Sequence, residues 1–422
     1  MSVLHRLVAD VPLPDMLRVR QRFARPVVED VAAATRAELE RGEILEKLRP
    51  GMSVAVTAGS RGIRDMTLVI KTVVGFLRQK GAQPFVIPAM GSHGGATAEG
   101  QLAILRNYGI TEEALGCPIR ATMETVAVGN TPDGREVSID RHAAAADGIV
   151  VINRIKPHTA FRGRYESGLM KMMAIGLGKQ KGAEACHSAG FRCMADNIAM
   201  YGGAVLQNAR VLFGVAVLEN AYDETCKLQA IPAADIPRRE PALLREAMGN
   251  MAGILIPQGD VLVVDWVGKN ISGDGHDPNI TGNFGTPYAS GGFKKQRTVY
   301  LDLTREGHGN AVGVGTADFI TKRMLAKIDH EAGYANTMTS NTPESYKIPI
   351  AADNHRDAIQ AAVKTCLDVT TQNIRIVRIS NTLQLEEIWI SRALTEEARA
   401  HPRMEILSEP MPFAFDREGN LF

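Results

Sequence analysis

Apolar residues recur along this chain in two alternating modes, short unbroken β-branched runs and longer stretches spaced at three and four, a pattern that predicts an α/β protein. Residues 52–58 (MSVAVTA), 84–89 (PFVIPA) and 147–153 (DGIVVIN) are of the first kind, the composition of parallel strands buried on both faces. Between them, residues 27–48, 65–80 and 97–108 space their apolar positions as helices, the last opened by Gly94 and Gly95. VAVGN and EVSID flank Pro132, Asp133 and Gly134 and predict a hairpin. Residues 189–208 read as helix, 209–220 as strand and 240–254 as the last helix of a first half. A second half begins with a strand at 259–267 and continues with a strand at 299–303, helices at 317–329 and 357–366, and strands at 374–379 and 387–391. Residues 331–352 are polar and turn-rich and predict a long loop, a lid or an interface. The division falls at domains 1–256 and 257–422, two α/β domains with the active site in the cleft between them.

Composition narrows the functional classes. A chain of 422 residues, 45% hydrophobic, supplies two cores. Lys and Arg number 48 against 47 Asp and Glu, with no dominant basic run, which argues against a nucleic-acid partner. The five cysteines (Cys117, Cys186, Cys193, Cys226 and Cys366) are scattered and form no CxxC pair, which argues against a disulfide framework or a structural zinc site and for a reducing cytoplasm. The N-terminus has no charged region followed by an apolar one, and no window reaches the ~18 uncharged apolar residues of a membrane span. The expectation is a soluble, cytoplasmic protein with no membrane partner; the pattern specifies no oligomeric state.

Chemistry concentrates in residues 153–188, NRIKPHTAFRGRYESGLMKMMAIGLGKQKGAEACHS. Pro157 disfavours helix at Lys156, so His158 falls on an extended or turning segment just beyond a strand, where open α/β sheets bind ligands. GSHGGATAEG (91–100) follows a strand and opens a helix, so its backbone N–H groups suit a phosphate or carboxylate with His93 at the mouth, or else form a tight turn with a solvent-facing histidine. VTAGSRG (56–62) is a second such turn, in which Arg61 clamps a carboxylate or is a surface arginine. GLGKQKG (176–182) lacks the Ser or Thr of a P-loop, so Lys179 and Lys181 read as solvated or phosphate-facing. His158 and His187 lie 29 residues apart, outside the helical zinc spacings, so any metal is held by side chains that the fold assembles. His276, His308, His330 and His355 fall in second-half segments that border the cleft.

In their order, GSHGGATAEG, KPHTAFRGRYESGLMK and ACHSAG resemble the nickel-dependent lactate racemase family of 2-hydroxyacid racemases and epimerases. The resemblance implies two α/β domains and a nickel-pincer nucleotide tethered through a thioamide to a lysine. It assigns the tether to Lys171, a nickel ligand to His187, general acid/base roles to His93 and His158, and the substrate carboxylate to Arg61, with Gly94, Gly95 and Ser60 in the cofactor-binding turns. It implies inversion at C2 by hydride removal to a planar 2-keto acid and return to the opposite face, and it implies two kinds of partner, a small 2-hydroxy acid and cofactor-biosynthesis proteins. Two departures concern the substrate. Ala58 stands where the family carries an aspartate, and Arg162, Arg164 and Glu166 add charge between His158 and Lys171, which suggests a malate-like diacid or a sugar acid contacted by Arg164. Lys269, in VGKNISGDG, is a further substrate candidate from the second half. The alternatives are a metal- or nucleotide-dependent oxidoreductase or lyase on hydroxy acids, with His158 and His187 on a divalent ion, and a nucleotide- or sugar-acid-binding module without catalysis.

Overall fold

The computed structural model describes residues 2–60 and 62–422. The chain divides into Ala24–Met251 and a second unit in which the segment through Phe23 joins Ala252–Phe422. The first strand, β1 (Met16–Gln21), buries Leu17 and Val19. It belongs to the sheet of the second unit, so the first 23 residues depart from the domain 1–256 that sequence order suggests.

In the unit Ala24–Met251, β2 (Ser53–Ala58) and β3 (Gln83–Pro88) are followed by the hairpin β4 (Thr125–Asn130) and β5 (Glu136–Asp140), which forms a sheet of its own. Next come β6 (Gly148–Arg154), β7 (Val211–Glu219) and β8 (Thr225–Pro232). The main sheet has the order β3-β2-β6-β7-β8, parallel except for β8. Successive side chains point to opposite faces of a strand, and here both faces are apolar. Ala55, Phe85, Ile149 and Val151 enter one core, while Val54, Val56, Val86, Val150 and Ile152 enter the other.

The second unit contains β9 (Val261–Val267), β10 (Arg297–Leu303), β11 (Phe319–Thr321), β12 (Ile350–Ala352), β13 (Ile376–Ile379), β14 (Glu387–Ser391) and β15 (Met404–Ile406). Its sheet order is β12-β11-β10-β9-β13-β14-β1-β15.

Three predicted elements come out differently. The helix over 27–48 breaks into Val31–Leu39, whose first turn is capped by Asp30 accepting from the Ala33 N–H at 2.8 Å, and Gly42–Leu45. Residues 317–329 form β11 and a single helical turn, Lys322–Leu325, because Phe319, Ile320 and Thr321 are all buried in the sheet and so short an apolar run has no readable period. Residues 331–352 contain the helix His330–Ser340, capped by Asp329, and then β12. That helix exposes Tyr334 and Met338 and lacks the apolar stripe by which a sequence announces a helix. No helix among the described residues is long and apolar enough to cross a membrane.

Candidate active site

From β2 the chain steps outward through the helix Met66–Gln79 to β3, then returns past β2 to form β6 on its other side. β2 and β6 are neighbours whose connections leave in opposite directions, and the crevice beyond the carboxyl ends of such strands is where open α/β sheets receive ligands. The segments after β2, β3 and β6 carry Ser60, His93 and His158 respectively.

The segment after β6 is a closed loop. Lys156 and Ser167 pair across its base with backbone bonds of 3.0 and 3.1 Å. Glu166, buried at its centre, accepts from the His158 N–H at 2.7 Å, the Gly163 N–H at 3.2 Å and Arg162 at 3.2 Å. Arg162 also donates to the His158 carbonyl at 2.7 Å. Arg164 points elsewhere, donating to the Pro237 carbonyl at 3.1 Å and lying over the Tyr165 ring. Arg162 and Glu166 thus pair within the loop, whereas Arg164 is exposed and its bond is to a backbone carbonyl.

His158, Lys171 and His187 converge. Phe191 lies 6.0 Å, centroid to centroid, from both histidine rings, and Phe161 lies 4.5 Å from His158. Burial pushes His158 well below the usual histidine range, reinforced by the positive charge of Lys171 and Lys156, by His187 and by Arg162. His187 is likewise lowered by burial, with the Ala183 carbonyl opposing and Lys171 adding to the effect. Both rings present Nε2, in opposite protonation states. His187 ends the helix Lys179–His187 and its Nδ1–H donates to the Ala183 carbonyl at 2.7 Å, leaving the Nε2 lone pair for a metal or proton. His158 accepts the Ala160 N–H at Nδ1, at 3.1 Å, so the neutral ring carries its proton on Nε2.

Lys171 ends a helical turn, Leu169–Lys171, that runs into a π-helical turn, Met172–Gly176, an irregularity common at functional sites. Asn153, at the end of β6, donates to the Gly168 carbonyl at 2.9 Å, and Glu240 accepts the Met170 N–H at 2.9 Å. Burial raises the Glu240 carboxyl to about 7. Cys186, beside His187, is packed away, its thiol pushed up to about 12 by burial.

His93 is exposed and its Nδ1 is hydrogen-bonded to Ser60 Oγ, linking the turns after β3 and β2. Gly94 and Gly95 both have left-handed backbones. The turn folds over the helix that it opens, and Thr97 caps that helix by accepting from the Gly100 N–H at 3.0 Å. A Cβ at Gly94 would stand 2.6 Å from Gln101 N, whereas one at Gly95 meets nothing within 4 Å. Gly95→Ala should therefore cost about 1 kcal/mol from backbone strain alone, and Gly94→Ala at least ~2 kcal/mol more. Urea midpoints of the two variants, at unchanged slope, check the difference.

Lys269 lies in the other unit, where its Nζ donates to the Gly273 carbonyl. Arg61 lies outside the described residues. His276 and His355, expected to border a cleft, are interior at 1% and 0% exposure. Lys179, expected to be solvated, is fully buried against Asp140 at 2.9 Å, a partner from β5 that sequence distance conceals. Sequence reasoning also passed over Glu240 and Gln101, polar residues whose burial has no local signal.

Residues 13–199 match the family model described as the lactate racemase N-terminal domain. Over this segment the chain is similar to the lactate racemase family. The structure of the lactate racemase apoprotein from Thermoanaerobacterium thermosaccharolyticum is similar in fold, with a TM-score of 0.51 and 12% sequence identity over 87% of this chain and 94% of that one. A Thermotoga maritima protein gives 0.49 and 13% over 77% of this chain and 84% of its own. No curated protein sequence is significantly similar. The matched segment includes His93, His158, Lys171 and His187.

Proposed function

We propose that this protein is a racemase or epimerase that inverts C2 of a 2-hydroxy acid, with a nickel-pincer nucleotide attached at Lys171. The observation that carries the reading is the convergence of Lys171, His158 and His187 at the carboxyl edge of the sheet, with Nε2 of His187 presented as a ligand. The donor set fits such a group. Among the described residues no three His, Cys, Asp or Glu side chains are grouped to hold a metal, so one protein nitrogen beside one amine suits a metal whose other donors belong to an organic cofactor. It does not suit a divalent ion held by His158 and His187 alone. When bound, the group supplies a hydride acceptor for C2, a role no side chain in the cluster performs.

The chain's own residues handle charge and protons. Lys156 and Arg162, whose positive charge disfavours the imidazolium of His158, favour an anionic substrate, whereas Lys171 adds its charge only until the cofactor is attached. A bound carboxylate offsets that charge and returns the His158 pKa toward neutrality, where proton transfer is most efficient. Neutral His158 donates from Nε2 to a substrate oxygen; to act as base there, its proton must sit on Nδ1 and the Ala160 contact must open. His93, steadied by Ser60, serves the opposite direction of reaction. The test uses protein produced with the cofactor pathway and one enantiomer of each 2-hydroxy acid in deuterated water. Inversion without deuterium at C2 is expected. Deuterium at C2, or net formation of keto acid or an elimination product, would overturn the hydride reading and favour a lyase or oxidoreductase. Alanine at His93 or His158 is expected to lower kcat by about 10²- to 10⁴-fold. An inactive parent, with ligand affinity intact in the double alanine variant, would indicate a binding module instead.

A further inference from the structure

Lys179 is fully buried, with a left-handed backbone at φ 55°, and begins the helix that ends at His187. Its ammonium forms an ion pair with Asp140 Oδ2 at 2.9 Å and donates to Gln101 Oε1 at 3.2 Å and to the carbonyl of Pro88, the last residue of β3. Gln101 is equally buried, and its amide nitrogen donates to the carbonyls of Gly91 at 3.0 Å and His93 at 3.2 Å. The other Asp140 oxygen accepts the N–H groups of His142 and Ala143 at 2.8 and 3.2 Å.

Resting on the function proposed above, we infer that Lys179 is a positioning residue that, through Gln101, holds the His93 turn in register with the helix bearing His187. A buried ion pair adds little net stability compared with apolar groups of the same volume, so stability alone does not account for a cation here. What a cation does that an apolar residue cannot is orient the Gln101 amide. An amide can flip, exchanging donor for acceptor. With Lys179 donating to Oε1, only one orientation satisfies both ends, the one that turns the NH₂ group toward Gly91 and His93. Direct donation to Pro88 fixes the end of β3 from which the turn departs. Without the cation, the Gln101 oxygen is left unsatisfied in the interior, the amide keeps only its two bonds to the turn, and the link from the acid/base histidine to the metal-ligand helix is cut. Sub-ångström placement of such groups controls rate more than substrate affinity.

The full-length chain is compared as parent, Gln101→Met, and Lys179→Met combined with Asp140→Asn, the pair being changed together so that no lone charge stays buried. Hydrogen–deuterium exchange of residues 89–97 is read first, without cofactor. Both variants are expected to raise exchange there at least about tenfold while the strands of the same unit stay protected. In cofactor-loaded protein, kcat is expected to fall about 10- to 100-fold with KM nearly constant and adduct and nickel content unchanged. Unchanged exchange and unchanged kcat in Gln101→Met overturn the inference. So does loss of protection spread over the whole unit, which would make the network a general fold element. If the double variant does not fold, Gln101→Met decides alone. If the parent racemises nothing, the functional reading fails while the exchange data still judge the positioning role.

Discussion

Lys171→Ala is expected to produce a protein whose intact mass equals that of its polypeptide and which holds no stoichiometric nickel, whereas the parent, made alongside the cofactor pathway, carries a nucleotide-sized addition. Racemisation should fall below detection, because His187 alone is a single ligand and the cluster contains no other group to accept hydride. The variant should fold, since the Lys171 side chain is only half-buried and the turn that bears it is held from behind by Asn153 and Glu240. A second readout is independent of the cofactor. The ammonium of Lys171 lowers the pKa of both His158 and His187, so imidazole titrations of the unloaded variant should show both moving up toward ordinary histidine values. An adduct that survives in Lys171→Ala would move the tether elsewhere. Histidine titrations that do not move would mean that Lys171 does not share their site.

The second unit should lose stability steeply in mild acid. His276 is fully buried and held at about 3, mainly by burial and further by Lys295, and His355 is held at about 4 by burial and by Arg323. The sign follows from which state binds protons. Unfolded histidine protonates near pH 6.5 while these two stay neutral in the native state, so their contribution is complete above about 6.5 and is lost as pH falls toward 4 and then 3. Each histidine carries about 1.4 kcal/mol per pH unit, so the pair removes up to ~3 kcal/mol per unit between pH 6 and 4.5. That is a large share of the ~5–15 kcal/mol that usually stabilises a domain. Both tryptophans of the chain, Trp266 and Trp389, lie in this unit and report its unfolding without interference from the other. Urea midpoints by tryptophan fluorescence at pH 7, 6 and 5 should fall progressively. The neutral His276→Gln should flatten the trend by about one proton, and a trend unchanged in that variant would place the acid sensitivity elsewhere.

What reached the surface of the sequence was what is local. β2, β3 and β6 are continuous apolar runs because both faces of a central strand are buried, and their ends are marked by Gly59, Gly91 and Pro157. The turns after such strands carry the site, so Ser60, His93 and His158 were legible as candidates, and ordered motifs extended the list to Lys171 and His187. Elements with no such periodicity were misread: the exposed helix His330–Ser340 looked like a loop, and the three-residue β11 looked like helix. The partners of charged residues were hidden for a different reason: Arg162 and Glu166 bond one another and the backbone of their own loop, and Arg164 donates to the Pro237 carbonyl, contacts that a linear string does not mark.

By itself, then, the sequence determined an α/β chain, the strand ends at which chemistry gathers and the residue types that meet there, because hydrophobic period, turn residues and motif order are properties of neighbours. Only the tertiary structure decided that β1 completes the sheet of the second unit, that Phe191 stands beside both His158 and His187, that Nε2 is a lone pair in one ring and an N–H in the other, and that Lys179 is buried beneath the His93 turn. Each of these depends on partners brought together across long stretches of chain, and burial, tautomer and ion pairing belong to the environment that results.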